Sequence, residues 1–112
     1  MLAKIPYIRK ILSTFRHASL GARGYLAIRL MLLPHDFLIF LESTLSKKEN
    51  ILDVGCGYGL VTLFLSYIGH EGKIMGVDID TTRIRDLQAL PLSSNISFLE
   101  RDLIREGFSG LE

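Results

Sequence analysis

Hydrophobic and polar residues alternate along this chain with two periods, and the change of period marks its elements. Ile5, Ile8, Ile11, Leu12 and Phe15 recur at roughly helical spacing, with Lys4, Arg9, Lys10 and Arg16 between them, and predict a basic amphipathic helix. Phe37, Leu38, Phe40, Leu41 and Leu45 repeat that spacing behind Pro34. Proline is tolerated at a helix start because the first turn has no use for the N–H it lacks. A helix is therefore predicted over 35–45, followed by a polar turn at 46–50. Beyond it the rhythm shortens. Residues 51–54 and 73–80 are short apolar runs, and 95–102 alternates apolar with polar, the patterns of strands. Helical patterns at 60–68 and 81–90 separate them, with a loop at 69–72 that carries a glycine at each end. Strands and helices in alternation predict an α/β fold around a parallel sheet.

The candidate chemistry gathers where these strands end. Ile51-Leu52-Asp53-Val54-Gly55-Cys56-Gly57-Tyr58-Gly59 compresses a strand, a tight turn and a helix start into nine residues. Glycines at 55, 57 and 59 permit positive φ and close approach of a ligand. The helix that follows points free N–H groups into the same space. Such a cradle at the carboxyl end of a strand is where open α/β sheets bind ligands. It is not the dinucleotide fingerprint G-x-G-x-x-G, because Leu60 stands where the third glycine would be. Asp53 would repel a pyrophosphate but suits a ligand that carries an amino group and a sulfonium. The second strand pattern closes on Asp78 and Asp80. Asp78 lies 21 residues after Gly57, near the offset of about 20 at which a βαβ unit sets an acid on a ribose. Asp80 immediately precedes a helical pattern and reads as its N-cap. The third strand pattern also ends in an acid, Asp102.

Three such signals in this order and spacing resemble the class I S-adenosylmethionine-dependent methyltransferases, over residues 50–103. The resemblance implies a partial doubly wound, Rossmann-like sheet of three parallel strands in the order 3-2-1 with flanking helices. It also implies S-adenosyl-L-methionine as cofactor. Asp53 then matches the acid near the methionine amino group. Gly55 and Gly57 match the backbone that touches the methionine portion, with Cys56 between them as a small side chain that fits. Asp78 takes the ribose, Ile79 packs on the adenine face, and Asp102 and the Leu103 N–H meet the adenine ring. The implied reaction is methyl transfer to an acceptor that the sequence does not identify: small molecule, lipid, nucleic acid or protein. A non-catalytic module that binds a nucleoside or a partner through the same half-fold is the alternative.

Charge divides the chain. Residues 1–35 carry six Lys or Arg and no acid, whereas the rest holds seven Lys or Arg against twelve Asp or Glu. The organisation expected is a basic arm at 1–34 and a cofactor-binding half-domain at 35–112, truncated before a fourth strand. The arm suits three roles: a helix that covers the sheet, peripheral contact with an anionic membrane, or an organellar targeting peptide. The open edge of the first strand suits self-association. Cys56 is the only cysteine, so no intrachain disulfide can form, and a reducing, cytoplasmic setting is expected. His17, His35 and His70 show no metal-ligand spacing, and no metal site is expected.

Overall fold

The computed structural model describes residues 4–17, 19–32 and 34–111; the side chains of Lys4, Ile5 and His35, and the terminal Glu112, lie outside the described set. Three helices come first: α1 (Lys4–Thr14), α2 (Leu20–Leu32) and α3 (His35–Thr44). Strands and helices then alternate as β1 (Ile51–Val54), α4 (Leu60–Tyr67), β2 (Ile74–Asp78), α5 (Thr81–Gln88), β3 (Ile96–Glu100) and a short α6 (Leu103–Glu106). The strands are parallel, with β2 between β1 and β3, which is the expected 3-2-1 order. Register sets Ile51 beside Ile74 and Ile96, and Asp53 beside Gly76 and Phe98. Side chains on alternate strand positions share a face, so these six look toward one side of the sheet.

Local chemistry explains the element ends. Helix α4 stops at Gly69, whose φ of 90° admits the left-handed turn. There the Gly69 N–H donates to the Ser66 carbonyl and the His70 N–H to the Leu65 carbonyl, satisfying two helix-end acceptors at once. Helix α5 starts at Asp80, whose side chain accepts from the Arg83 N–H as the N-cap reading expects. Helix α2 has no counterpart among the expected elements. Its apolar residues lie on two opposite sides, with Arg23 and Arg29 between them, so no single stripe announces it.

One core joins the N-terminal helices to the sheet. Tyr7, Ile11 and Phe15 of the arm cluster with Leu26 and Leu30 of α2, Phe64 of α4, Ile84 and Leu87 of α5, and Ile74, Ile96 and Phe98 of the strands. Tyr7, Ile11 and Phe15 therefore turn inward, while Arg9, Lys10 and Arg16 are exposed. Helix α3 contributes the buried Leu38, but it does not lie along β1 at the range at which α4 and α5 approach the sheet. Leu41 and Leu45, partly buried, pack against the same core.

Tyr7 is the bolt between α1 and α4. Its ring is fully buried, meets Phe64 edge-on at 5.1 Å, and its hydroxyl donates to the Leu60 carbonyl. Burial raises its pKa, so the phenol stays neutral. Tyr7→Ala is expected to cost about 3–5 kcal/mol, as truncation of a buried aromatic does, and Tyr7→Phe about 1 kcal/mol for the lost hydrogen bond. Urea unfolding of both variants measures this, and a Phe variant as damaged as the Ala variant would locate the effect in the hydroxyl alone.

Candidate ligand site at the carboxyl ends of the strands

The glycine loop is held by the second strand. Beyond β1 the Cys56 N–H donates to the Val77 carbonyl at 3.0 Å, and the next amide, Gly57, donates to Asp78 Oδ2 at 2.8 Å. The other Asp78 oxygen accepts from the Asp80 N–H at 2.8 Å. One carboxylate thus pins both the loop after β1 and the turn after β2. A carboxylate has about four lone-pair positions, so two donors leave it with acceptor capacity. Gly55, Gly57 and Gly59 all take positive φ, which lets the loop turn back within five residues.

Phe98 sets the floor of this loop. A Cβ on Gly59 would stand 2.9 Å from the Phe98 ring, and a Cβ on Gly76 would stand 2.7 Å from it. The buried ring occupies the space that these two glycines leave, so β3 supports the loop from below through β2. The glycine at 76 is a packing requirement that its position inside a strand pattern does not reveal.

Two carboxylates, Asp53 and Asp78, set the charge on the strand side of the loop, and the Arg83 guanidinium stands on its outer side beside Gly57 and Tyr58. Asp53 Oδ2 accepts from Thr62 Oγ1 at 2.8 Å, yet burial lifts its pKa above the ordinary value, and the Asp78 charge adds to the lift. The Cys56 thiol is pushed up to about 12 by burial and then by the charges of Asp53 and Asp78. A thiol held protonated is a poor nucleophile, which agrees with Cys56 as a small side chain that fits. Two carboxylates beside a half-buried loop favour a ligand group that is positively charged.

The remaining expected residues line the same end of the sheet. Ile79 follows Asp78 and is 65% exposed, an apolar side chain open at the mouth of the site. Asp102 caps α6, with Oδ1 accepting from the N–H groups of Ile104 and Arg105 at 3.1 and 3.3 Å. Leu103 is the first residue of that helix and half-buried. The Arg101 N–H donates to the Asp78 carbonyl at 2.9 Å and ties the ends of β2 and β3 together.

Three contributors were not anticipated. Thr62 anchors Asp53; the signal was a lone hydroxyl in the apolar run of 60–65, where a buried polar group must find a partner. Arg83 and Tyr25 form the second group. The Arg83 guanidinium lies over the rings of Tyr58 and Tyr25, at 5.2 and 5.5 Å, and beside Gly57. It links α2, the glycine loop and α5, a meeting of distant segments that no local pattern encodes. A groove of about 1210 Å³ runs between the end of α1, α4 and the link after α5, lined by Lys10, Phe15, Leu63, Asp86 and Leu92, and it meets the glycine loop at Tyr58.

The buried charge of Asp53 has a measurable consequence. Its pKa is raised above 3.8 in the folded chain, so that state holds the proton more tightly than the unfolded chain does. The associated stability is fully present below that ordinary value and is lost as pH rises through the raised one. Asp53→Asn keeps an acceptor for Thr62 and removes the charge. It is expected to raise the urea midpoint at about pH 7 and to leave it nearly unchanged at about pH 3. Equal shifts at both pH values would remove burial of the charge as the cause.

Comparison with known proteins agrees with this fold. The methyltransferase-domain family profile matches residues 51–109, more than half of the chain. The ribosomal protein L11 methyltransferase of Alkaliphilus metalliredigens is 38% identical over 48 residues, which is 43% of this chain and 15% of that protein. The enzyme of the same description from Neisseria meningitidis is 40% identical over 48 residues, 43% of this chain and 16% of its own length. The matched segment is thus a small part of these relatives. Among solved structures, the plantazolicin methyltransferase BpumL in complex with SAH superposes with a TM-score of 0.53 at 17% identity, over 92% of this chain and 45% of that one. The superposition carries the fold and the profile carries the lineage: the chain belongs to the methyltransferase-domain family.

Proposed function

We propose that this chain binds S-adenosylmethionine at the carboxyl ends of β1, β2 and β3 and serves as the cofactor-binding part of a methyltransferase. The observation that carries this reading is Asp78, fixed by two backbone amides at the mouth of a three-glycine loop with acceptor positions to spare. A pair of ribose hydroxyls fits those positions. Open space beside Gly55, where an added Cβ would meet nothing within 4 Å, suits close approach of the methionine portion. Asp53 and Asp78 supply the negative field that an ammonium and a sulfonium require. Ile79 offers an exposed apolar side chain to the adenine face, and Asp102 with the Leu103 N–H stands at the third strand for the ring edge. When bound, S-adenosylmethionine supplies a methyl group activated by the sulfonium. The chain's own part is to hold and orient that donor, and orientation accounts for much of the acceleration in such transfers. The acceptor is an unidentified nucleophile.

SAH, the product left by S-adenosylmethionine, is the ligand in the BpumL complex, and the same ligand is the practical probe here. Calorimetric titration with S-adenosylmethionine, S-adenosylhomocysteine and NAD is expected to show binding of the first two and at least tenfold weaker binding of NAD. NAD binding equal to or tighter than the others would overturn the reading. So would the absence of binding by all three to a chain whose circular dichroism shows it folded.

A further inference from the structure

Helix α2 is apolar on both sides. Leu26 and Leu30 point into the core, fully buried. On the opposite side Leu20, Ile28, Met31 and Leu32 are 83%, 60%, 72% and 71% exposed, with Gly21 and Gly24 between them. Positions 20, 24, 28 and 31 follow one another at three- and four-residue steps and so share a face. That face carries no charged or hydrogen-bonding side chain. An apolar surface this continuous on a helix marks a contact rather than a solvated exterior.

The charge around it says with what. Residues 1–35 hold six cations and no carboxylate. Arg9, Lys10 and Arg16 of the α1 segment and Arg29 of α2 are exposed, while the body beyond residue 35 carries an excess of acid. Two copies joined by this face would oppose two acid-free, cationic hairpins with no carboxylate to pair them. An anionic bilayer reverses that balance, since its headgroups draw the basic hairpin and repel the acidic body. Among the described residues no single helix is long and apolar enough to cross a membrane, and α2 passes that test only together with α3, across a sharp bend; the contact we consider is interfacial.

We propose that the outward face of α2, built by Leu20, Ile28, Met31 and Leu32 and flanked by Arg29, is a docking surface for anionic membrane lipid. The amphipathic stripe of α1 is not the inserting element, because Tyr7, Ile11 and Phe15 are committed to the core. The surface adjoins the ligand site through Tyr25, whose ring lies 5.9 Å from that of Tyr58 in the glycine loop. It stands independently of which ligand that loop holds.

The chain contains no tryptophan, so one introduced residue reports its own surroundings. Met31→Trp is to be mixed with vesicles of phosphatidylcholine alone and of phosphatidylcholine with phosphatidylglycerol. Ile104→Trp serves as the control, at a side chain 98% exposed on α6. A blue shift at position 31 with the mixed vesicles, small with the neutral ones, weakened by salt and absent at position 104, is the expected result. Ile28→Glu with Leu32→Glu should lower co-sedimentation with the mixed vesicles at least tenfold while helicity is kept, since both positions face water in the free chain. Emission at position 31 unmoved by either vesicle would overturn the proposal. So would a shift that follows protein concentration without lipid, which would assign the face to a second copy, or an equal shift at position 104.

Discussion

Gly72→Ala is expected to lower the stability of this chain by about 3–5 kcal/mol, the sum of a steric insult and broken hydrogen bonds. A Cβ at this position would stand 2.0 Å from the Glu49 carbonyl oxygen and 2.8 Å from that of Lys48. Both are main-chain atoms, so relief cannot come from rotating a side chain. The two segments are also bound together here. Gly72 N–H donates to the Lys47 carbonyl at 2.9 Å, His70 Nε2 donates to the Glu49 carbonyl at 2.7 Å, and Asn95 Nδ2 donates to the Gly72 carbonyl at 2.9 Å. Parting the chains to seat a methyl group therefore loosens the entry to both β1 and β2. At this size the loss corresponds to a melting temperature lower by on the order of 10–20 °C. Gly21→Ala makes the same chemical change on α2, where nothing lies within 4 Å, and should be neutral or slightly stabilising because alanine favours helix. Thermal scans of the two variants decide it: a Gly72→Ala chain that melts with the parent would mean that 47–49 and 70–72 separate without cost.

That example shows which parts of the fold the sequence makes legible. Period and punctuation are local, so β1, β2, β3, α4 and α5 stand within two residues of where their patterns lie, apart from frayed ends. Acids at strand ends are local too: Asp80 caps α5 as its position suggests, and Asp78 closes β2. What local pattern does not carry is contact between distant segments. Gly72 reads as loop punctuation, yet its lack of a side chain answers to Glu49. Gly76 reads as a weak point in a strand, yet it answers to Phe98. Helix α2 lacks a sequence signal for a related reason, since it is apolar on two opposite sides and has no single stripe. The basic stripe of α1 has one, but the stripe alone does not say whether core or bilayer covers it, and the packing of Tyr7 against Phe64 does.

The largest effect on ligand binding is expected from Asp78→Ala. The substitution removes the acceptor for the Gly57 N–H and the acceptor for the Asp80 N–H, together with the oxygens available to a ribose. Hydrogen bonds to a charged group are worth about 1.5–3 kcal/mol each, so losing even one ligand contact lowers affinity for S-adenosylhomocysteine roughly tenfold to a hundredfold. Release of the loop adds to this, because the Gly57 N–H loses its partner on β2 and the Cys56 N–H bond to Val77 is left to tie the loop there. Asp80→Ala is the matched comparison. That side chain accepts from the Arg83 N–H at 3.0 Å as a helix cap and its ion pair to Arg83 is partly exposed at 3.7 Å. Its removal should cost about 1 kcal/mol of stability and leave affinity within a few-fold. Calorimetry measures the two affinities, and amide hydrogen exchange at Gly57 separates loss of a ligand contact from loss of the loop. Faster exchange at Gly57 in the Asp78 variant alone, with weakened binding, is the expected pair of results. Weakened binding in the Asp80 variant with full affinity in the Asp78 variant would transfer the ligand role to Asp80.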